Sequence, residues 1–131
     1  MTSAQYQYVE TMRQLQAAIE VCRSADTIAV DTEFARFNTY YPIVGLIQIG
    51  TSETCFLIDP LAIDDLSPLK LILAEPGILK VFHACSEDLE VFQRTLGYIP
   101  TPLYDTQIAT AVLGVEFSMG YQSLVEHYLG I

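Results

Sequence analysis

Basic residues are scarce in this chain. Six of its 131 residues are lysine or arginine (Arg13, Arg23, Arg36, Lys70, Lys80 and Arg94), against sixteen aspartates and glutamates, and the formal net charge is −10. Polypeptides that coat a nucleic-acid backbone without sequence preference are usually basic, so this balance excludes a stand-alone coating module. It leaves open an enzyme whose acidic pocket holds metal ions that in turn hold phosphate. Cysteine is also sparse. Cys22, Cys55 and Cys85 are odd in number, far apart and free of any Cys-x-x-Cys pair, which excludes a disulfide framework or a zinc ribbon and points to a reducing cytoplasm. No apolar run approaches the ~18 residues of a membrane span. Met1-Thr2-Ser3-Ala4-Gln5 has neither the basic nor the apolar region of a signal peptide. No internal repeat, low-complexity segment or linker interrupts the chain.

What is present is apolar material. Hydrophobic residues make up 51% of the sequence and charged residues 17%, enough for a substantial core in one domain over 1–131. Residues 5–9 alternate and predict a short strand. Thr11-Met12-Arg13-Gln14 has the form of a capping box, and Met12, Leu15, Ile19 and Cys22 recur at helical spacing. Ser24-Ala25-Asp26 ends that helix, and a strand over Thr27–Thr32 follows. A loop from Phe34 to Pro42 carries four aromatics, Phe34, Phe37, Tyr40 and Tyr41. Ile43–Ile49 reads as a central strand apolar on both faces, and Thr54–Ile58 as its neighbour after a turn, giving an antiparallel meander. Ser67-Pro68 predicts a helix start, with a capping serine and proline at the first position, running to Ala74. A strand over Ile78–His83 precedes a helix from Ser86 that buries Leu89, Phe92 and Leu96 and stops at Gly97. Asp105 caps a further helix with Ile108, Ala109 and Val112 inward. A last helix carries Tyr121, Leu124, Val125, Tyr128 and Leu129 and ends at Gly130. The pattern is α/β with a mixed sheet.

The chemistry is sought first in Val30-Asp31-Thr32-Glu33-Phe34. In an extended strand, residues i and i+2 share a face, so Asp31 and Glu33 project together. Two carboxylates held that close invite a hard divalent cation; alternatively Asp31 caps a turn and Glu33 faces water. Asp88 follows in the first turn of the Ser86 helix, where the helix dipole favours acids. It shares a face with Phe92, four residues on. If Phe92 points into the core, Asp88 is buried at the sheet end and needs a partner. His83 and Cys85 stand two apart, but no third orienting group accompanies them as a thiol–imidazole pair would require. Asp59 reads as a turn residue, Asp105 as a helix cap, and Cys22 and Cys55 as core filler.

Taken with Thr39-Tyr40-Tyr41-Pro42, Gly45-Leu46-Ile47-Gln48-Ile49, Ile58-Asp59-Pro60-Leu61, His83 to Phe92 and Asp105-Thr106-Gln107-Ile108, these segments make the chain resemble the catalytic domain of the ribonuclease D family. That family belongs to the DEDD 3′→5′ exonucleases. The resemblance implies a ribonuclease H-like fold: a mixed sheet, antiparallel meander plus parallel strands, flanked by helices. It implies Asp31, Glu33 and Asp88 as catalytic and metal-binding residues. Two cations, Mg²⁺ or Mn²⁺, would sit about 4 Å apart on the scissile phosphate, Asp31 bridging both. The implied substrate is RNA with a free 3′ end, such as a transfer RNA precursor, with a nucleoside monophosphate as product.

Thr32, Phe34, Arg36 and His83 are candidate substrate contacts. The aromatic loop either stacks on terminal bases or plugs the loop onto the core. Arg36 either touches phosphate or is a plain surface residue. The family's third motif, a tyrosine followed four residues later by aspartate, is not matched downstream of Asp88. Tyr104 precedes Asp105 directly, Tyr121 is followed at that spacing by Val125, and Tyr128 has no residue there. The expectation is an N-terminal part of the exonuclease domain, lacking the last helix and the helical RNA-binding domains. Such a part would be impaired in catalysis and able to self-associate through exposed apolar surface. The rival reading is an inactive scaffold module of the same fold.

Overall fold

The computed structural model describes residues 5–131, so Met1-Thr2-Ser3-Ala4, most of the stretch without a signal-peptide pattern, lies outside the described residues. Six strands form one sheet: β1 (Tyr6–Val9), β2 (Thr27–Ala35), β3 (Ile43–Gly50), β4 (Cys55–Ile58), β5 (Leu79–Phe82) and β6 (Leu103–Asp105). The helices are α1 (Met12–Arg23), α2 (Lys70–Leu73), α3 (Ser86–Leu96), α4 (Thr106–Val112) and α5 (Tyr121–Leu129). Strand order is β1-β4-β3-β2-β5-β6. The predicted meander is present, β2 antiparallel to β3 and β3 to β4, while β1 on β4, β5 on β2 and β6 on β5 are parallel. None of the described helices is long and apolar enough to cross a membrane.

One face of the sheet is closed by α1, α2 and α3. Leu15, Ala18, Ile19 and Cys22 of α1 pack over Ile49, Phe56 and Ile58, with Leu69 and Ile72 completing the layer. Thr11 caps α1 through the Gln14 amide at 3.2 Å, while the Gln14 side chain accepts from Glu10 rather than from Thr11 itself. Val91 and Phe92 of α3 are fully buried, and the Phe92 ring meets Phe82 edge-on at 6.3 Å. Lys80 is buried as well. Burial lowers its pKa, and its ammonium donates to the carbonyls of Glu75, Ile78 and Thr101 at 2.7–2.8 Å.

Several boundaries differ from the sequence reading. The predicted helix over Ser67–Ala74 is a 3₁₀ turn, Ser67–Leu69, running into α2; Ser67 caps nothing, and Asp65 instead accepts its amide at 2.9 Å. β6 was not foreseen, because three residues are too few to show a period. Ile108 and Val112 of α4, expected inside, are 58% and 81% exposed, and Thr110 is the buried residue. α5 keeps its apolar stripe yet buries none of it fully. Helical periodicity identifies an apolar stripe, but only the tertiary arrangement says whether anything lies on it.

Candidate active site

β2 is the element on which the site is built, and it is longer than the sequence suggested. Its pairing with β5 stops at Ala29 opposite Val81, whereas its pairing with β3 continues to Ala35 opposite Ile43. The acids therefore sit within the strand, not at its end. Ile28, Val30 and Thr32 are buried on the closed face, and Asp31 and Glu33 are exposed on the other, as alternation requires. Between Glu33 and Phe34 the register with β3 shifts, leaving Gly45 as the extra residue of a bulge. A Cβ on Gly45 would lie 3.8 Å from the Glu33 carbonyl oxygen. Bulges increase local twist and re-aim the side chains beside them.

Beyond Ala29 the β5 side of β2 has no strand partner, and the first turn of α3 occupies that space. Asp88, 5% exposed, accepts the Thr32 backbone N–H at 3.2 Å and the Thr32 hydroxyl. Its carboxylate takes the place of the neighbouring strand's carbonyl. Burial pushes the Asp88 pKa up to about 6; the Thr32 bonds oppose the rise, and the charges of Asp31 and Glu87 add to it. Asp88 and Phe92 do share a buried face, as their spacing predicted. Asp31 is held from the opposite strand by Gln48, whose side-chain amide donates at 3.3 Å. β3 is therefore not apolar on both faces as its composition predicts; Gln48, alone among apolar neighbours, is the sign in the sequence that one face stays uncovered.

Asp31 and Gln48 open into a cleft of about 530 Å³ between the sheet and α5, which Cys55, His83, Tyr121 and Leu124 also line. Cys55 is thus a half-buried cleft residue, not core filler. His83 borders the cleft with both ring nitrogens engaged. Nδ1 lies 2.8 Å from the Thr106 hydroxyl, and the Nε2 N–H donates to the Met119 carbonyl at 2.8 Å. The ring ties the segment before α5 to the sheet. Burial, with Asp105 adding, pushes the Cys85 thiol up to about 11, so Cys85 is no thiolate nucleophile.

Of the remaining candidates, Thr32 and Arg36 are drawn toward α3. Thr32 holds Asp88 from the buried face. Phe34 packs against the core. Arg36 pairs with Glu90 at 2.5 Å, and the Arg94 guanidinium lies 3.4 Å over the Tyr41 ring. Glu90 and Arg94, one helical turn apart, strap the β2–β3 loop to α3. Phe37 and Tyr40 remain 83% and 84% exposed. Of the aromatic loop, Phe34 and Tyr41 are anchors, and Phe37 and Tyr40 are free to meet a ligand.

The carboxylates are all oxygen donors, the chemistry that Mg²⁺ or Mn²⁺ prefers. Two of them stand close enough for Asp31 to raise the pKa of Asp88, a repulsion that a bound cation relieves. Among the described residues, no three His, Cys, Asp or Glu side chains are grouped as a metal site. Asp31, Glu33 and Asp88 therefore fit a divalent cation by donor type but do not form a closed cage. The sequence alone shows Asp105 as a helix cap and nothing more. It caps α4 through Gln107 and Ile108, but it also accepts the amides of Ala84 at 3.0 Å and Cys85 at 2.8 Å, contacts no local pattern could reveal.

Comparison with known proteins identifies the family of the chain. Ribonuclease D of Escherichia coli K12 is 51% identical over 126 residues, covering 96% of this chain and 34% of that protein. Ribonuclease D of Pseudomonas paraeruginosa is 44% identical over 131 residues, covering all of this chain and 35% of its own length. The crystal structure of the E. coli enzyme superposes with a TM-score of 0.93. The catalytic core of RRP6 from Trypanosoma brucei, 29% identical, superposes at 0.90 over all of this chain and 37% of its own. This chain thus spans about a third of the length of the curated relatives it matches. A sequence model described as 3′-5′ exonuclease matches residues 6–131, and the chain belongs to that 3′-5′ exonuclease family.

Proposed function

We propose that this chain supplies the acidic part of the active site of a 3′→5′ exoribonuclease of the ribonuclease D type. The observation that carries the reading is the bond from Thr32 to Asp88, 56 residues apart in sequence, which sets Asp88 beside the strand that presents Asp31 and Glu33. These three would hold two divalent cations, Mg²⁺ or Mn²⁺. When bound, such ions activate a water and stabilise the leaving 3′ oxygen of a phosphodiester. The chain's own residues supply position. Thr32 fixes Asp88, Gln48 orients Asp31, and the exposed Phe37 and Tyr40 offer faces on which unpaired bases can stack. A net charge of −10 leaves phosphate binding to the metals rather than to a basic surface.

The proposed substrate is RNA with a free 3′ end, released as nucleoside monophosphates. The E. coli relative is an exoribonuclease involved in structured RNA processing, which supports a structured RNA such as a transfer RNA precursor here. Three free cysteines support a reducing, cytoplasmic setting. Residues 1–131 are taken as the N-terminal part of the exonuclease domain. The third motif and helical RNA-binding domains belong, in this reading, to the rest of the gene product. The 131-residue segment alone then binds Mn²⁺ weakly, at one site if at all; calorimetry finding two tight ions per chain would reject that. The test of function is hydrolysis of a 3′-labelled RNA with Mn²⁺ by the full-length gene product and its Asp31→Asn variant. Stepwise 3′ shortening lost in the variant supports the assignment. No shortening by the full-length protein means a scaffold instead.

A further inference from the structure

We infer that Asp105 is a positioning residue for Asp88: by clamping the corner from which α3 departs, it fixes where the Asp88 carboxylate meets β2. The inference rests on the reading of Asp88 as a functional acid. Asp105 ends β6, opposite Phe82 at the end of β5, and is 7% exposed. One of its oxygens accepts the amides of Ala84, Gln107 and Ile108, and the other accepts Cys85. Capping α4 needs only Gln107 and Ile108. The bonds to Ala84 and Cys85 reach a different element, the turn between β5 and α3.

That turn is strained. Ala84 has φ 55, a left-handed conformation that a residue bearing a Cβ rarely adopts. A left-handed residue followed by a right-handed one, here Cys85 at φ −77, aims successive N–H groups at one point, where an anion fits. The carboxylate of Asp105 is that anion. Burial pulls its pKa up, but the Cys85 amide and thiol, with the amides of Ala84 and Gln107, outweigh this and hold it below the usual carboxylate range. Because Cys85, the residue before α3, supplies no side-chain cap, the Asp105 clamp is what fixes the start of the helix. Asp88 lies in the first turn after it and meets both the amide and the hydroxyl of Thr32.

Capping and positioning separate in the Asp105→Asn variant. Asparagine caps helices as well as aspartate does. Its amide group, however, would turn N–H against N–H toward either Cys85 or the Ala84–Gln107 side, so the corner loses an acceptor. The full-length gene product is compared as wild type, Asp105→Asn and Thr11→Ala, the last removing the remote cap of α1. Hydrogen exchange at the Thr32 amide reports the Asp88 contact without needing any activity, and Mn²⁺ affinity is measured alongside. In Asp105→Asn, Thr32 exchange should accelerate at least about tenfold, the scale of a lost bond to a charged group. Mn²⁺ affinity should fall about 10–100-fold, as for groups that orient ligands. Thr11→Ala should lower the melting temperature yet move neither readout. Unchanged Thr32 exchange in Asp105→Asn overturns the inference, whatever the nuclease assay gives. Faster exchange in a protein that binds no Mn²⁺ and cuts no RNA sinks the proposed function but leaves the positioning intact. Should Asp105→Asn not fold, the Ala84→Gly/Asp105→Asn pair, whose corner carries no steric cost, is read by the same two outcomes.

Discussion

Alternate residues of the same strands face two different environments. On one side, Ile28, Val30, Ile47, Ile49, Phe56 and Ile58 lie under α1, α2 and α3, each less than 5% exposed. On the other, Ala29, Asp31, Gln48, Gly50 and Cys55 border a cleft that α5 only partly covers. The helices of this second side carry Ile108, Val112, Tyr121 and Leu129 more than half exposed. The first face holds the fold together; the second tolerates adjacent carboxylates because water and ligand can reach them. Asp88 links the two, since it is anchored on the buried residue Thr32 while its charge is felt by Asp31 across the strand.

Each face can be tested where it matters most. On the open face, Asp31→Asn should cut RNA hydrolysis by the full-length gene product by roughly 100-fold or more, the scale of losing one electrostatic stabiliser of a transition state. Its melting temperature should stay close to wild type. A large stability loss instead would make Asp31 part of the scaffold and break the division. On the closed face, Phe92→Ala should cost about 3–5 kcal/mol in urea unfolding, whereas Tyr121→Ala in α5 should cost under about 1 kcal/mol. Equal losses would mean that α5 is as firmly packed as α3.

The link residue has a pH signature. The Asp88 pKa is raised in the folded state to about 6, above its usual value, so between about 4 and 6 the folded chain binds more protons than the unfolded one. Stability measured without metal should fall as pH rises through that window, and Asp88→Asn should flatten the slope. Added Mn²⁺, which favours the ionised carboxylate, should recover stability above pH 6 and not below pH 4. Smallest of all, the isolated 131-residue chain should self-associate weakly in sedimentation, and Val112→Glu, on the exposed α4 stripe, should keep it monomeric.

How much of this was written locally varies by residue. The Asp31–Glu33 pair was legible, because a period of two guarantees a shared face. The pairing of Asp88 with Phe92 was legible from helical spacing. The extension of β2 to Ala35 was not, since it depends on β3 supplying partners after β5 has ended. Arg36 looked like a cation available to phosphate, and no local rule could say that Glu90 would pair with it. For Asp105 the capping half of its role was visible in the sequence and the clamping half was not.

By itself the sequence determined the elements, the order of the meander, and which residue types could do chemistry, because periodicity and charge act over a few residues and need no distant partner. Tertiary structure decided the rest: which apolar stripe is covered, which arginine is spoken for, and where an aspartate on a helix touches a strand 56 residues earlier. Those outcomes depend on strands and helices meeting across the sheet, and contact between remote segments leaves no mark on the spacing within either one.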